Sequence, residues 1–106
     1  MKNEIPQVVA QLIEAQKHFD STSYASCFTE TAIVFDEGKN YSGRRQIREW
    51  IEKANQEYKI SMIPLEYSES DQTLKAEVKG QFPGSPIVLN YQYEFNDGLI
   101  QSLKIV

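Results

Sequence analysis

The chain has 106 residues, 41% of them hydrophobic and 25% charged, which suits a water-soluble fold with one hydrophobic core and leaves no room for two. A formal net charge of -4 argues against a phosphate-binding surface, so nucleic acid is not an expected partner, and no apolar run is long enough to cross a bilayer. The single cysteine, Cys27, excludes an internal disulfide framework, and the first residues show no apolar leader core, so a cytoplasmic protein with no membrane contact is expected.

Ile5, Val8, Leu12, Ala15 and Phe19 recur at three- and four-residue steps, which predicts a first helix with one buried face. Asn3 is placed to cap it and Pro6 to sit in its first turn, where a missing N–H costs little. Asp20-Ser21-Thr22-Ser23 ends this helix and can cap a short second one carrying Tyr24, Cys27 and Phe28. After the polar Thr29-Glu30-Thr31, the apolar Ala32-Ile33-Val34-Phe35 reads as a strand running into Asp36, and residues 36–40 read as a turn. Gly43 opens a third helix with Ile47, Trp50, Ile51, Ala54 and Tyr58 on its apolar stripe. Its wet face offers Arg45 to Glu49, Arg48 to Glu52 and Glu49 to Lys53 at i,i+4.

Beyond Tyr58 the period changes to two. Residues 59–67 are interrupted by Pro64, which lacks a ladder donor and so marks an edge or a bulge. Leu74, Ala76, Val78, Gly80 and Phe82 then alternate with Thr73, Lys75, Glu77, Lys79 and Gln81, and Ile87, Leu89, Tyr91, Tyr93 and Phe95 alternate with polar neighbours. Pro83-Gly84-Ser85-Pro86 and Asn96-Asp97-Gly98 are turns, leaving residues 99–106 as a last strand. The expected fold class is α+β in a single domain over residues 1–106: a cone-shaped, curved antiparallel sheet covered on one face by three N-terminal helices. Such a half-cone encloses a pocket.

Asp36 is the sharpest chemical feature. A carboxylate at the end of an apolar strand, turned inward toward a helix, is desolvated and its pKa rises toward the range useful for taking a proton from carbon. The same run of residues is also the composition of a solvated turn, and spacing alone favours the turn. His18, next to Phe19, reads as a helix-end residue, no Ser or Cys stands in a nucleophile pattern, and no set of His, Cys and Asp has metal-ligand spacing. The glycines form no phosphate loop, so neither a metal nor a cofactor is expected.

Cys27-Phe28-Thr29-Glu30-Thr31-Ala32-Ile33-Val34 before Asp36, then Gly43, then Ile47-Arg48-Glu49-Trp50, and the hairpin Tyr93-Glu94-Phe95-Asn96-Asp97-Gly98 carry a resemblance over nearly the whole chain. In this order they resemble the nuclear transport factor two-like (NTF2-like) superfamily with its cystatin-like fold, in particular its small bacterial SnoaL-like and ketosteroid-isomerase-like members. In the steroid isomerases an Asp ending the first strand abstracts a proton alpha to a carbonyl, while a helix Tyr and a protonated late-strand Asp stabilise the enolate oxygen. The resemblance implies Asp36 as the base. Leu12 stands at the helix Tyr position and Tyr91 at the late Asp position, which implies one oxyanion donor, Tyr91, and argues against steroid isomerisation itself.

The resemblance also implies ligand-contacting walls at Trp50, Tyr24, Phe28, Phe35 and Tyr58, each with plain core packing as its alternative. The expected function is a small cofactor-independent SnoaL-like protein whose apolar pocket moves a proton on a small carbonyl compound, by isomerisation, cyclisation or dehydration. The alternative is a non-catalytic module that binds a small apolar ligand or serves as a dimeric interaction domain. Members of the superfamily commonly pair through the outer face of the sheet, so a homodimer is expected; Lys75, Glu77, Lys79, Gln92 and Glu94 would make that face wet.

Overall fold

Each strand of this protein has one face that must leave water, and the order in which the strands are laid down decides where those faces meet. The computed structural model describes residues 5–106. Its elements run α1 (Gln7–Lys17), α2 (Ser21–Ser26), β1 (Phe28–Asp36), β2 (Lys39–Ser42), α3 (Gly43–Tyr58), β3 (Ser61–Ser68), β4 (Thr73–Lys79), β5 (Ile87–Asn96) and β6 (Leu99–Ile105). The six strands form one curved sheet in the order β2-β1-β6-β5-β4-β3, with the three helices packed on one face.

On α1 the buried residues are Val8, Val9, Leu12, Ala15 and Gln16, a wider stripe than strict three- and four-residue steps select. Pro6 is the N-cap rather than a first-turn residue, and Asn3 lies outside the described residues. Phe19 leaves the core face altogether: it follows the helix at φ 54° and is 47% exposed. Asp20 caps α2, its carboxylate accepting from the Ser23 N–H at 3.1 Å and from the Ser23 hydroxyl at 2.7 Å. Cys27 is the C-cap of that helix, and Phe28 already belongs to β1.

Residues 36–40, read as a solvated turn, form a tight hairpin. Asp36 pairs with Lys39 across Glu37 and Gly38, whose φ values of 52° and 77° are the pair of positive angles that a two-residue hairpin turn needs. α3 buries Ile47, Ile51 and Asn55, and its wet face carries Arg45–Glu49 at 3.5 Å and Arg48–Glu52 at 3.8 Å.

β3 is an edge strand, and its register against β4 shifts between Pro64 and Glu66, as a strand proline requires. β4 stops at Lys79, short of Gly80 and Phe82. There the chain turns against the end of α3: the Gln81 N–H donates to the Tyr58 carbonyl at 2.6 Å, and a Cβ on Gly80 would lie 2.8 Å from that same oxygen. The close approach selects glycine and breaks the alternation.

The remaining pairings are antiparallel except one: β1 lies parallel to β6. Alternation fixes which face a residue occupies but not the direction of its neighbour, so the parallel join is absent from the sequence pattern. Between helices and sheet lies the core, built from Val8, Leu12, Ile47 and Ile51 on one side and Leu74, Ala76, Tyr91, Ile100 and Leu103 on the other.

Candidate active site

Strand parity brings the first residue of the site into place. Ala32 and Val34 are buried on the inner face of β1, so Asp36, two residues on, shares that face at the strand end. Phe35 pairs with Lys104 on β6, which puts Asp36 level with Ile105, and Ile105 pairs with Tyr91 on β5. Asp36, Ile105 and Tyr91 therefore form one row across three strands, and the backbones of the acid and the phenol stand two strand spacings, roughly 10 Å, apart.

Helices supply the other wall. The Trp50 indole N–H donates to Asp36 Oδ2 at 3.3 Å. The indole itself is held by Tyr41 of β2, stacked at 5.6 Å and 30°, and by Tyr24 of α2, edge-on at 6.1 Å and 61°. Tyr24 in turn rests on the fully buried Phe28 at 5.9 Å. The aromatic rings thus fix the indole against the half-buried carboxylate, which strengthens the contact between them.

Burial raises the Asp36 carboxyl above its ordinary value, the charge of Glu37 adds to the rise, and the Trp50 hydrogen bond opposes it. Tyr91 is pushed far up by burial and then by the charge of Asp36, so it stands as a neutral hydroxyl able to donate. Tyr24 and Tyr93 are displaced in the same direction, also chiefly by burial. Burial lifts the Cys27 thiol to about 11, which keeps it neutral.

The structure thus brings together Asp36, Tyr91, Trp50 and Tyr24 over Phe28, and it leaves two expected wall residues elsewhere. Phe35 points out of the opposite face, 37% exposed, because neighbours in a strand alternate and Asp36 takes the inner side. Tyr58, at the last turn of α3, is 38% exposed and meets Phe82 edge-on at 6.0 Å. Two residues of the site were not anticipated. Tyr41 lies in a four-residue polar strand that carries no periodic signal, whereas Tyr93 is two residues from Tyr91 and shares its face by parity.

Phe35 lines a trough of about 990 Å³ on the outer face together with Lys75, Asn90, Gln92, Glu94 and Lys104. This trough is open and lined mostly by polar residues, and the Asp36 cluster lies on the other side of the sheet. Among the described residues no group of three or more His, Cys, Asp or Glu side chains could hold a metal ion, and no helix is long and apolar enough to cross a membrane.

No family model and no curated protein matches the chain. Solved structures do. A Sinorhizobium meliloti protein, provisionally named a polyketide cyclase, is 31% identical over 96% of this chain and 95% of its own, with a TM-score of 0.90. A protein with a ketosteroid isomerase-like fold from Catenulispora acidiphila is 18% identical over 97% of this chain and 86% of its own, TM-score 0.84. An NTF2-like protein from Cytophaga hutchinsonii is 18% identical over 100% of this chain and 93% of its own, TM-score 0.76. The last two share the fold; the first spans nearly the whole of both chains at an identity that defines kinship. The fold class is the α+β cone of a cystatin-like protein. The chain belongs to the SnoaL/NTF2-like superfamily.

Proposed function

We propose that this protein is a cofactor-independent enzyme that moves a proton on a small, largely apolar carbonyl compound. The observation that carries the reading is the row Asp36–Ile105–Tyr91, which sets a desolvated carboxylate and a neutral phenol on one face with an aliphatic floor between them. A ketone lying on Ile105 would present its oxygen to Tyr91 and its alpha carbon to Asp36. The carboxylate takes the alpha proton, the electron pair moves onto oxygen, and the Tyr91 hydroxyl donates to the enolate as it forms. Returning the proton to another carbon completes an isomerisation. Attack of the enolate on a second carbonyl gives a cyclisation, and expulsion of a beta hydroxyl gives a dehydration.

The raised Asp36 carboxyl suits this task, since a base closer in strength to its carbon acid transfers the proton with less opposition. The Trp50 N–H keeps it ionised enough to act. Exchange of alpha protons of cyclohexanone for deuterium, followed by NMR in heavy water, tests the reading. The wild type is expected to exceed the buffer rate and Asp36→Asn to match it; equal rates for both refute proton transfer.

We also propose that two copies pair through the outer sheet face. Support comes from the superfamily and from exposed apolar side chains on that face: Phe35 at one side of it, Ile63 and Val88 at the other. Sedimentation at micromolar concentration is expected to give twice 12.2 kDa, and a monomer throughout removes the proposal.

A further inference from the structure

Tyr93 has a hydroxyl that the proton-transfer reading does not use. Its side chain is 3% exposed, and the hydroxyl has no hydrogen-bond partner among the described residues. Burying such a group without a partner forfeits its bonds to water, and folded proteins keep few of them. Packing does not explain it, since the ring stacks on Phe95 at 5.7 Å and 17°, and a phenylalanine would stack there equally well.

The position of Tyr93 says what the hydroxyl is for. Tyr93 pairs with Leu103, and Leu103 with Val34, so these three form the row next to Asp36–Ile105–Tyr91 on the inner face. One row step is two residues of strand, roughly 7 Å. The neighbours follow the same order: the charge of Asp36 bears on Tyr91, Tyr91 and Tyr93 both bear on Tyr24, and Tyr91, Tyr67 and Cys27 bear on Tyr93. Tyr93 thus stands one row further from the acid than Tyr91, with its hydroxyl unpaired among the described residues.

We infer that Tyr93 is a specificity-determining residue that binds a second oxygen of the substrate, so the compound turned over carries a ketone or hydroxyl at the end opposite the carbonyl held by Tyr91. The inference rests on the proton-transfer reading for which end reacts. A substrate with a single oxygen would leave Tyr93 unpaired in the complex; one with two, spaced by about one row step, satisfies it.

Cyclohexanone and cyclohexane-1,4-dione test this, because they differ by one oxygen at the far end of the same ring. In NMR titrations of the wild type the dione should bind about five- to tenfold more tightly, roughly the gain of one net hydrogen bond. Its two equivalent carbonyls account for only twofold of that. Tyr93→Phe should reduce the preference to twofold or less by weakening the dione, with the thermal midpoint no lower than that of the wild type. A wild type without preference beyond twofold overturns the inference, as does a Tyr93→Phe variant that weakens both ketones alike. Failure of the other reading looks different: exchange insensitive to Asp36→Asn removes proton transfer, yet a dione preference lost in Tyr93→Phe still establishes the second contact.

Discussion

Gln16 ties three elements together, and its replacement has a calculable cost. Its Nε2 donates to Asn55 Oδ1 at 2.8 Å and to the Ile60 carbonyl at 2.7 Å, joining α1 to α3 and to the approach to β3. Gln16 is 2% exposed and Asn55 7%, while Gln16 Oε1 and Asn55 Nδ2 are both buried without partners among the described residues. Gln16→Met keeps the shape and strips the donor from two acceptors, at about 1–3 kcal/mol each, while removing one unpaired oxygen of similar cost. The net is a loss of about 1–3 kcal/mol, which for a chain of this size lowers the thermal midpoint by roughly 5–15 °C. Asn55→Leu removes the unpaired Nδ2 and leaves Gln16 its bond to Ile60, so it should cost about 1 kcal/mol or less. In the double variant only the Ile60 carbonyl loses a partner while both unpaired atoms are gone, so its cost should fall short of the summed single costs by about 2 kcal/mol or more. Urea unfolding of the four proteins gives the cycle. A Gln16→Met protein as stable as the wild type, or strictly additive effects, would refute the assignment of these bonds as the link between helices.

Asp36→Asn should stabilise the protein at neutral pH. The folded carboxyl is raised above its ordinary value near 3.8, so its ionised form is penalised at neutral pH, and the penalty fades as pH falls through the raised folded value toward 3.8. Urea midpoints of variant and wild type should therefore differ at pH 7 and converge near pH 3; a constant difference contradicts the burial argument. Trp50→Phe removes the one hydrogen bond that lowers this carboxyl, so carbon-detected NMR titration should place Asp36 higher still, and a downward movement would show that the indole acts otherwise. Tyr91→Phe should cut alpha-proton exchange by about 10²–10³-fold without changing its pH profile at the Asp36 limb, since one oxyanion donor is worth that much. An unchanged rate would remove Tyr91 from the chemistry.

The fold was legible where periodicity has one interpretation. Leu74, Ala76 and Val78 on β4, and Ile47 and Ile51 on α3, sit where a period of two and a period of 3.6 place them. What escaped was non-local. The parallel join of β1 to β6 depends on a chain direction that alternation does not encode, and β2 is four residues of polar composition. Gln16 and Val9 are buried because α2 and β3 close around α1, a packing outcome that an apolar stripe of single residues misses. Within the site, parity was under-used. Once Asp36 was given the inner face, Phe35 had to be outside, and once Tyr91 was inside, Tyr93 had to follow. Tyr41 had no such signal, since only the hairpin brings it onto Trp50.

The last strand acts as a splice. Without β6 the sheet is two separate ribbons, the β1–β2 hairpin and the β3–β4–β5 meander, which share no ladder hydrogen bond with each other. Asp36 rides on one ribbon and Tyr91 on the other, so the width of a single strand is the gauge that spaces the carboxylate from the phenol. A residue such as Ile105, which carries no polar atom, can thus retune the site by altering how the ribbons seat on the splice, and a slip of β6 against either ribbon would uncouple acid from phenol while both remain chemically intact.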